Sequence, residues 1–191
     1  MSVIADSDMT INSAIAVANW FIEQNQIDPS ALTHLKIQKM LYFAQGWHLA
    51  HLDIPLFEDP IEAWKYGPVV RSVYRALNSY QDNIITAPIM GYVLKDLDYT
   101  PLGTPQFSSL NNNSIDFMRW IWDSYSKMEA WKLVSISHAK NSPWDKVANP
   151  RTTRSAATDN ELFGEYYDLV IPVELMKSYF KSLLARTRRY A

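Results

Sequence analysis

The stretch Thr33 to His51, THLKIQKMLYFAQGWHLAH, constrains this chain more than any other. Wound as a helix at about 100° per residue, it puts Ile37, Met40, Leu41, Ala44, His48 and His51 on one face. Leu35, Tyr42, Gly46 and Leu49 fall roughly opposite. Only a strip with Lys36 and Lys39, and another with Gln38 and Gln45, stay polar. A surface helix carries one apolar stripe, so a helix apolar on two sides is covered on both. This segment is therefore expected at the centre of a domain. Gly46 costs about 1 kcal/mol against Ala inside a helix. Its presence there predicts close approach of another backbone.

The flanking sequence supplies further helices. A first one is expected over about Ile11 to Gln24, capped by Thr10 or Asn12. Thr33 is the expected cap of the central helix. Ile61 to Lys65 alternates like a short extended piece. Gly67-Pro68 reads as the start of a third helix, about Val69 to Ser79, because Pro lacks an N–H that would be unpaired there anyway. Ile84-Ile85 and Tyr92-Val93-Leu94 suggest a small hairpin. Ser114 is expected to cap a helix over Ile115 to Tyr125. Ser126-Lys127-Met128-Glu129 matches a capping box for a helix from Lys127 to Lys140, with Ala130, Trp131, Val134, Ser137 and His138 as its packed stripe. Ser142-Pro143 opens a short sixth helix. Asn149 to Asn160 holds no large apolar residue and reads as an exposed loop. A final helix follows Pro172 to about Arg188, with Leu175, Tyr179, Leu183 and Leu184 turned inward. The fold class is mainly α: one compact helical domain of about six to seven helices with a small β hairpin or extended element. Residues 1–150 form the body, and 151–191 an exposed loop and a C-terminal helix packed on it.

Composition narrows the function. In 191 residues, 48% are hydrophobic and 20% charged, enough for a substantial core. There is no Cys, which excludes disulfides, thiol catalysis and Cys-ligated metal. The first residues, MSVIADSDMT, lack the basic flank of a signal peptide. No apolar run approaches the roughly 20 residues that span a bilayer. A cytoplasmic protein is expected. Net charge is −2, which makes no case for nucleic acid. Residues 175–191 nevertheless carry Lys177, Lys181, Arg186, Arg188 and Arg189 and no acid. Helix-dipole stabilisation explains these cations; a basic docking tail is the sharper reading.

No pattern selects an enzyme. His48 and His51 sit three apart and could share a metal, but no local pattern supplies a third ligand. Ser137-His138 is not a nucleophile–base arrangement that sequence certifies. Glu58, Asp59 and Glu62 read as a solvated acidic loop. No phosphate-binding loop or nucleophile elbow is present. No cofactor and no metal site is expected. Trp47, Phe57, Trp64, Tyr66, Pro143 and Trp144 lie in or beside predicted loops, as packing residues or as the rigid anchors of a binding hot spot.

The run LKIQKMLYFAQGWHLA through PLFEDPIEAWKYGPVVRSVY, followed by HAKNSPW at His138 to Trp144, resembles the Panacea domain of SocA-like antitoxins and phage-associated proteins. The matching positions are Lys36, Gln38, Lys39, Tyr42, Gln45, Gly46 and Trp47, then Trp64, Lys65, Tyr66, Gly67 and Pro68, then His138, Pro143 and Trp144. The resemblance implies a non-enzymatic antitoxin. Its partner would be a protein toxin from a neighbouring gene, blocked directly or presented to a protease through an adaptor role. The alternative is a mobile-element interaction protein without a toxin. The motif positions are the candidate partner-binding residues.

Overall fold

In a computed structural model, residues 12–95, 98–107, 112–152 and 169–187 are described. Among them are seven α-helices: α1 (Ala14–Ile27), α2 (His34–Leu52), α3 (Arg71–Leu77), α4 (Asn112–Tyr125), α5 (Ala130–Ser137), α6 (Pro143–Thr152) and α7 (Val173–Thr187). Two antiparallel hairpins complete the fold: β1 (Ile61–Trp64) with β2 (Gly67–Val70), and β3 (Gly91–Lys95) with β4 (Asp98–Gly103). The protein is mainly α.

Helix α2 is the axis, as its two apolar faces require. Thr33 is in extended conformation and its hydroxyl accepts from Lys36 N at 3.4 Å, the expected cap. The helix packs against α1, α3, α4, α5, α7 and β2. Its polar strips do not face water. Lys36, Gln38, Lys39 and Gln45 are all buried, while His51, placed by periodicity on an inner face, is exposed. Covered over most of its length, the helix has little solvent face to give its polar residues before its last turn.

Gly46 marks a close approach, but to a ring and not to a backbone. A Cβ added there would lie 2.2 Å from the Phe180 ring of α7. On α7 itself Met176 and Phe180 are the buried residues, and Leu175, Tyr179, Leu183 and Leu184 flank them half-buried. The inward face is thus turned from the one read off the sequence. Arg188 and Arg189 lie outside the described residues. Lys177 and Lys181 both pair with Asp53 at the C-cap of α2, the first at 2.8 Å.

Further expectations are corrected. Gly67-Pro68 does not open a helix; it begins β2. Gly67 has φ +100°, which closes the turn after Lys65-Tyr66. Pro68 is tolerated because its nitrogen lies on the edge away from β1, where no ladder bond is lost. Helix α3 starts only at Arg71 and gives way to a 3-10 turn at Asn78. Tyr92 to Leu94 do form a strand, paired with residues 98–103, whereas Ile84 bridges Thr33 and Ile85 N donates to Leu32 O. The Ser126 capping box is not made. Glu129 is the N-cap of α5, and the Ser126 hydroxyl is buried without a partner. Helix α1 is capped by Ser13, and α4 begins at Asn112, two residues before Ser114. Most of the loop expected over 149–160 lies outside the described residues, while α6 runs through its first four positions.

Candidate functional site: an aromatic groove over a motif-built frame

Backbone hydrogen bonding explains where most motif residues went. The β1–β2 hairpin has two edges. On β1, residues 169–171 add alongside: Ala63 N donates to Leu169 O at 2.8 Å and Ile171 N to Ile61 O at 2.7 Å. On β2, no strand adds among the described residues, and α2 supplies side chains instead. Gln38 Oε1 accepts from Val70 N at 2.8 Å, and Lys39 Nζ donates to Pro68 O at 2.8 Å. Buried backbone polar groups need partners, and these side chains are the partners. Gln45 does the same for the loop at Leu56 and Phe57, accepting at 2.7 and 3.3 Å and donating to Phe57 O at 2.9 Å. Lys36 Nζ donates to Ser30 O at 2.5 Å.

The late motif block closes on the same hairpin. The His138 ring stacks on Trp144 with centroids 3.6 Å apart and planes 4° from parallel. Trp144 Nε1 donates to Trp64 O at 2.8 Å. The Ser142 hydroxyl accepts from Asp145 N at 3.1 Å, the expected cap of α6, and Pro143 is buried beside it. A Cβ on Gly67 would lie 2.9 Å from Lys39 Nζ and 3.0 Å from His138 Nε2. Gly67 therefore serves both its left-handed turn and the Lys39 and His138 side chains packed against it. Burial pushes the Lys39 ammonium down to about 7. Burial and the nearby Lys39 charge push His138 down to about 4. His138 Nε2 is buried and unpartnered. The Ser137 hydroxyl is turned back onto Val134 O at 2.8 Å, away from any nucleophile role.

Above this frame lies a groove of about 530 Å3. It runs between the start of α2, the hairpin tip, the end of α3 and the first turn of α5. Trp64, Tyr66, Tyr74 and Trp131 wall it. The Trp64 and Tyr74 rings are 4.6 Å apart, and Tyr66 meets Trp131 edge-on at 6.0 Å. Tyr66 is 53% exposed and Trp131 62%. Lys65 lies on the rim with its ammonium 5.6 Å from the Tyr66 ring centre.

The structure thus gathers Gln38, Lys39, Trp64, Lys65, Tyr66, Gly67, Pro68, His138, Pro143 and Trp144 around one hairpin. It leaves Tyr42 and Trp47 elsewhere. Tyr42 is buried against Phe43 and Phe180. Trp47 sits mid-helix, donating to Tyr125 Oη at 2.6 Å and packing on Phe180 and Trp120. Phe57 is fully buried. Sequence reasoning missed His34 and Tyr74 as groove residues and took Trp131 as packed inward. An aromatic beside a helix start carries no signal that separates core from rim.

The remaining candidates have structural work. His48 Nδ1 bonds Ile54 O at 2.8 Å. Asp59 and Glu62 are not a solvated pair. Asp59 accepts from Ala14 N at 2.9 Å and from the Ser72 hydroxyl at 2.6 Å. Glu62 is buried, paired with Arg71 at 2.8 Å and accepting from Trp64 Nε1 at 2.7 Å. Among the described residues no three His, Cys, Asp or Glu gather as a metal site, and no helix is long and apolar enough to cross a membrane.

Comparisons with known proteins agree with the motif. The family described as antitoxin SocA-like, Panacea domain, matches residues 37–145. The chain is 32% identical over 137 residues to Antitoxin SocA of Caulobacter vibrioides (strain NA1000 / CB15N), covering 71% of this chain and 70% of that protein. No solved structure matches. The matched residues span α2, the β1–β2 hairpin and the His138–Trp144 block that closes on it, and the chain belongs to the SocA-like antitoxin family of Panacea-domain proteins.

Proposed function

We propose that this protein is an antitoxin that neutralises a protein toxin, encoded by a neighbouring gene, by binding it through the groove at the β1–β2 hairpin tip. The observation that carries this is the placement of exposed aromatics at the hairpin tip of the motif. Tyr66 of the motif and Trp131 beyond it face water beside Trp64 and Lys65, where the motif residues are not consumed in holding the fold. Tyrosine and tryptophan anchors of this kind dominate binding energy at interfaces. Gln38, Lys39, Gly67, Pro68, His138, Pro143 and Trp144 act beneath them by fixing the hairpin's position. They shape the surface without touching the toxin. Direct blocking needs only this face. Presentation to a protease would need a second surface, left free when the toxin is bound.

The experiment is co-expression with the neighbouring gene product, read as growth rescue and complex formation. Tyr66→Ala and Trp131→Ala remove exposed rings, so the fold survives. Each is expected to weaken the complex at least tenfold, the effect of losing about 1.4 kcal/mol. Wild-type affinity in both variants would move the interface away from the groove.

A further inference from the structure

We propose that Glu62 and Arg71 are positioning residues for partner binding: from behind the groove they hold the Trp64 ring as a preset wall, without touching the partner. The proposal rests on the groove being the toxin-binding face and says what gives that face its shape. Trp64 ends β1, half-buried, beside the turn that carries Lys65 and Tyr66. A tryptophan there turns about two side-chain bonds unless something fixes its ring. Positions 62 and 64 alternate onto one face of the strand, and the buried Glu62 carboxylate accepts from Trp64 Nε1 through Oε2 at 2.7 Å.

That carboxylate is itself held. Arg71 Nε lies 2.8 Å from Oε1, and Nη2 donates to Oε2 at 2.9 Å. A guanidinium fork set against both oxygens fixes the carboxylate plane as well as its place, so Oε2 stays aimed at the indole. Arg71 also opens α3. Tyr74 lies three residues on, along the same helix face, and its ring is 4.6 Å from that of Trp64. One helix therefore sets the Trp64 ring twice, at its N–H edge through Glu62 and by ring contact through Tyr74. Glu62 and Arg71 do not line the groove; they line a separate cavity of about 370 Å3 with Asp59, Pro60 and Ser72. A partner that docks on Trp64 binds the fraction of molecules whose ring stands in place, and its apparent Kd rises as that fraction falls. A ring in place about a tenth of the time loses about tenfold in affinity with no partner contact altered.

The test is the double variant Glu62→Leu/Arg71→Met of the full chain. It removes both charges together, and apolar replacement of a whole buried pair is commonly neutral for stability. The free protein is read by 1H–15N spectra and urea unfolding, and the complex by affinity for the neighbouring gene product. The Trp64 indole signal is expected to move upfield and its N–H to exchange at least tenfold faster. The indole of Trp47, bonded to Tyr125, should stay where it is. The urea midpoint should hold while affinity falls at least fivefold, a split that a merely structural pair would not give. If the double variant does not fold, Arg71→Lys carries the test: it keeps the charge and loses the fork, and the Trp64 signal and the affinity should move together. An unmoved Trp64 signal, or unchanged affinity while Tyr66→Ala weakens the complex, would overturn the positioning role alone. No complex with the intact protein, or wild-type affinity in both Tyr66→Ala and Trp131→Ala, would overturn the groove and this role with it.

Discussion

Lys39 is fully buried and its ammonium has one acceptor, Pro68 O. Its proton is held at about 7 in the folded chain against 10.5 when free. Between those values the unfolded chain binds the proton more firmly, so folding stability rises as pH rises from about 7 toward 10.5. Lys39→Met should flatten that slope, which reaches at most about 1.4 kcal/mol per pH unit. Chemical denaturation of both proteins at pH 7 and 9 measures the difference. His138 works at the acid end. Its value of about 4 lies below the ordinary 6.5, so the unfolded chain takes up the proton first as pH falls. Stability is lost between about 6.5 and 4, and His138→Phe, which keeps a ring on Trp144, should reduce that loss. Gly67→Ala sets a Cβ against Lys39 and His138 at a φ of +100°. It should destabilise by about 2 kcal/mol or more, seen as a lower urea midpoint. These residues were legible in the sequence as a motif but not as a mechanism. Lys39 read as part of a solvent strip because periodicity reports spacing, and nothing local says that a strand edge will need its proton.

At the scale of elements, α2 substitutes side chains for strands. Gln38 fills the hydrogen-bonding edge of β2 at Val70, and Gln45 that of the loop at Phe57. Gln38→Leu keeps the volume and strips the partner from Val70 N, and should cost about 1–3 kcal/mol; thermal unfolding measures it. Gly46→Ala tests the approach of α7. The added methyl meets the Phe180 ring, so overpacking of about 1–3 kcal/mol should exceed the roughly 1 kcal/mol gained in helix propensity. A rise in Tm would contradict the packing. The central helix, its Thr33 cap and the extended piece at Ile61 were all readable, because apolar period and capping chemistry are local. The β2 strand was not. Gly-Pro suits a helix start and an edge-strand turn equally, and only the neighbouring α2 decides between them. The turned face of α7 has the same origin: Phe180 faces inward because Gly46 leaves room for it.

At the scale of the whole molecule, the motif splits into a frame that is buried and a rim that is exposed. The motif positions mostly build the frame. Trp64, Lys65 and Tyr66, with Trp131 beyond the motif, form the rim around the groove. The antitoxin reading rests on that division. One measurement tests it most directly: co-expression of this protein, and of its Tyr66→Ala and Trp131→Ala forms, with the neighbouring gene product, followed by pull-down and growth. The account predicts that the neighbour alone stops growth, that the intact protein restores it within a stable complex, and that both variants fold yet lose rescue. A harmless neighbour, or rescue untouched by loss of either ring, would contradict it.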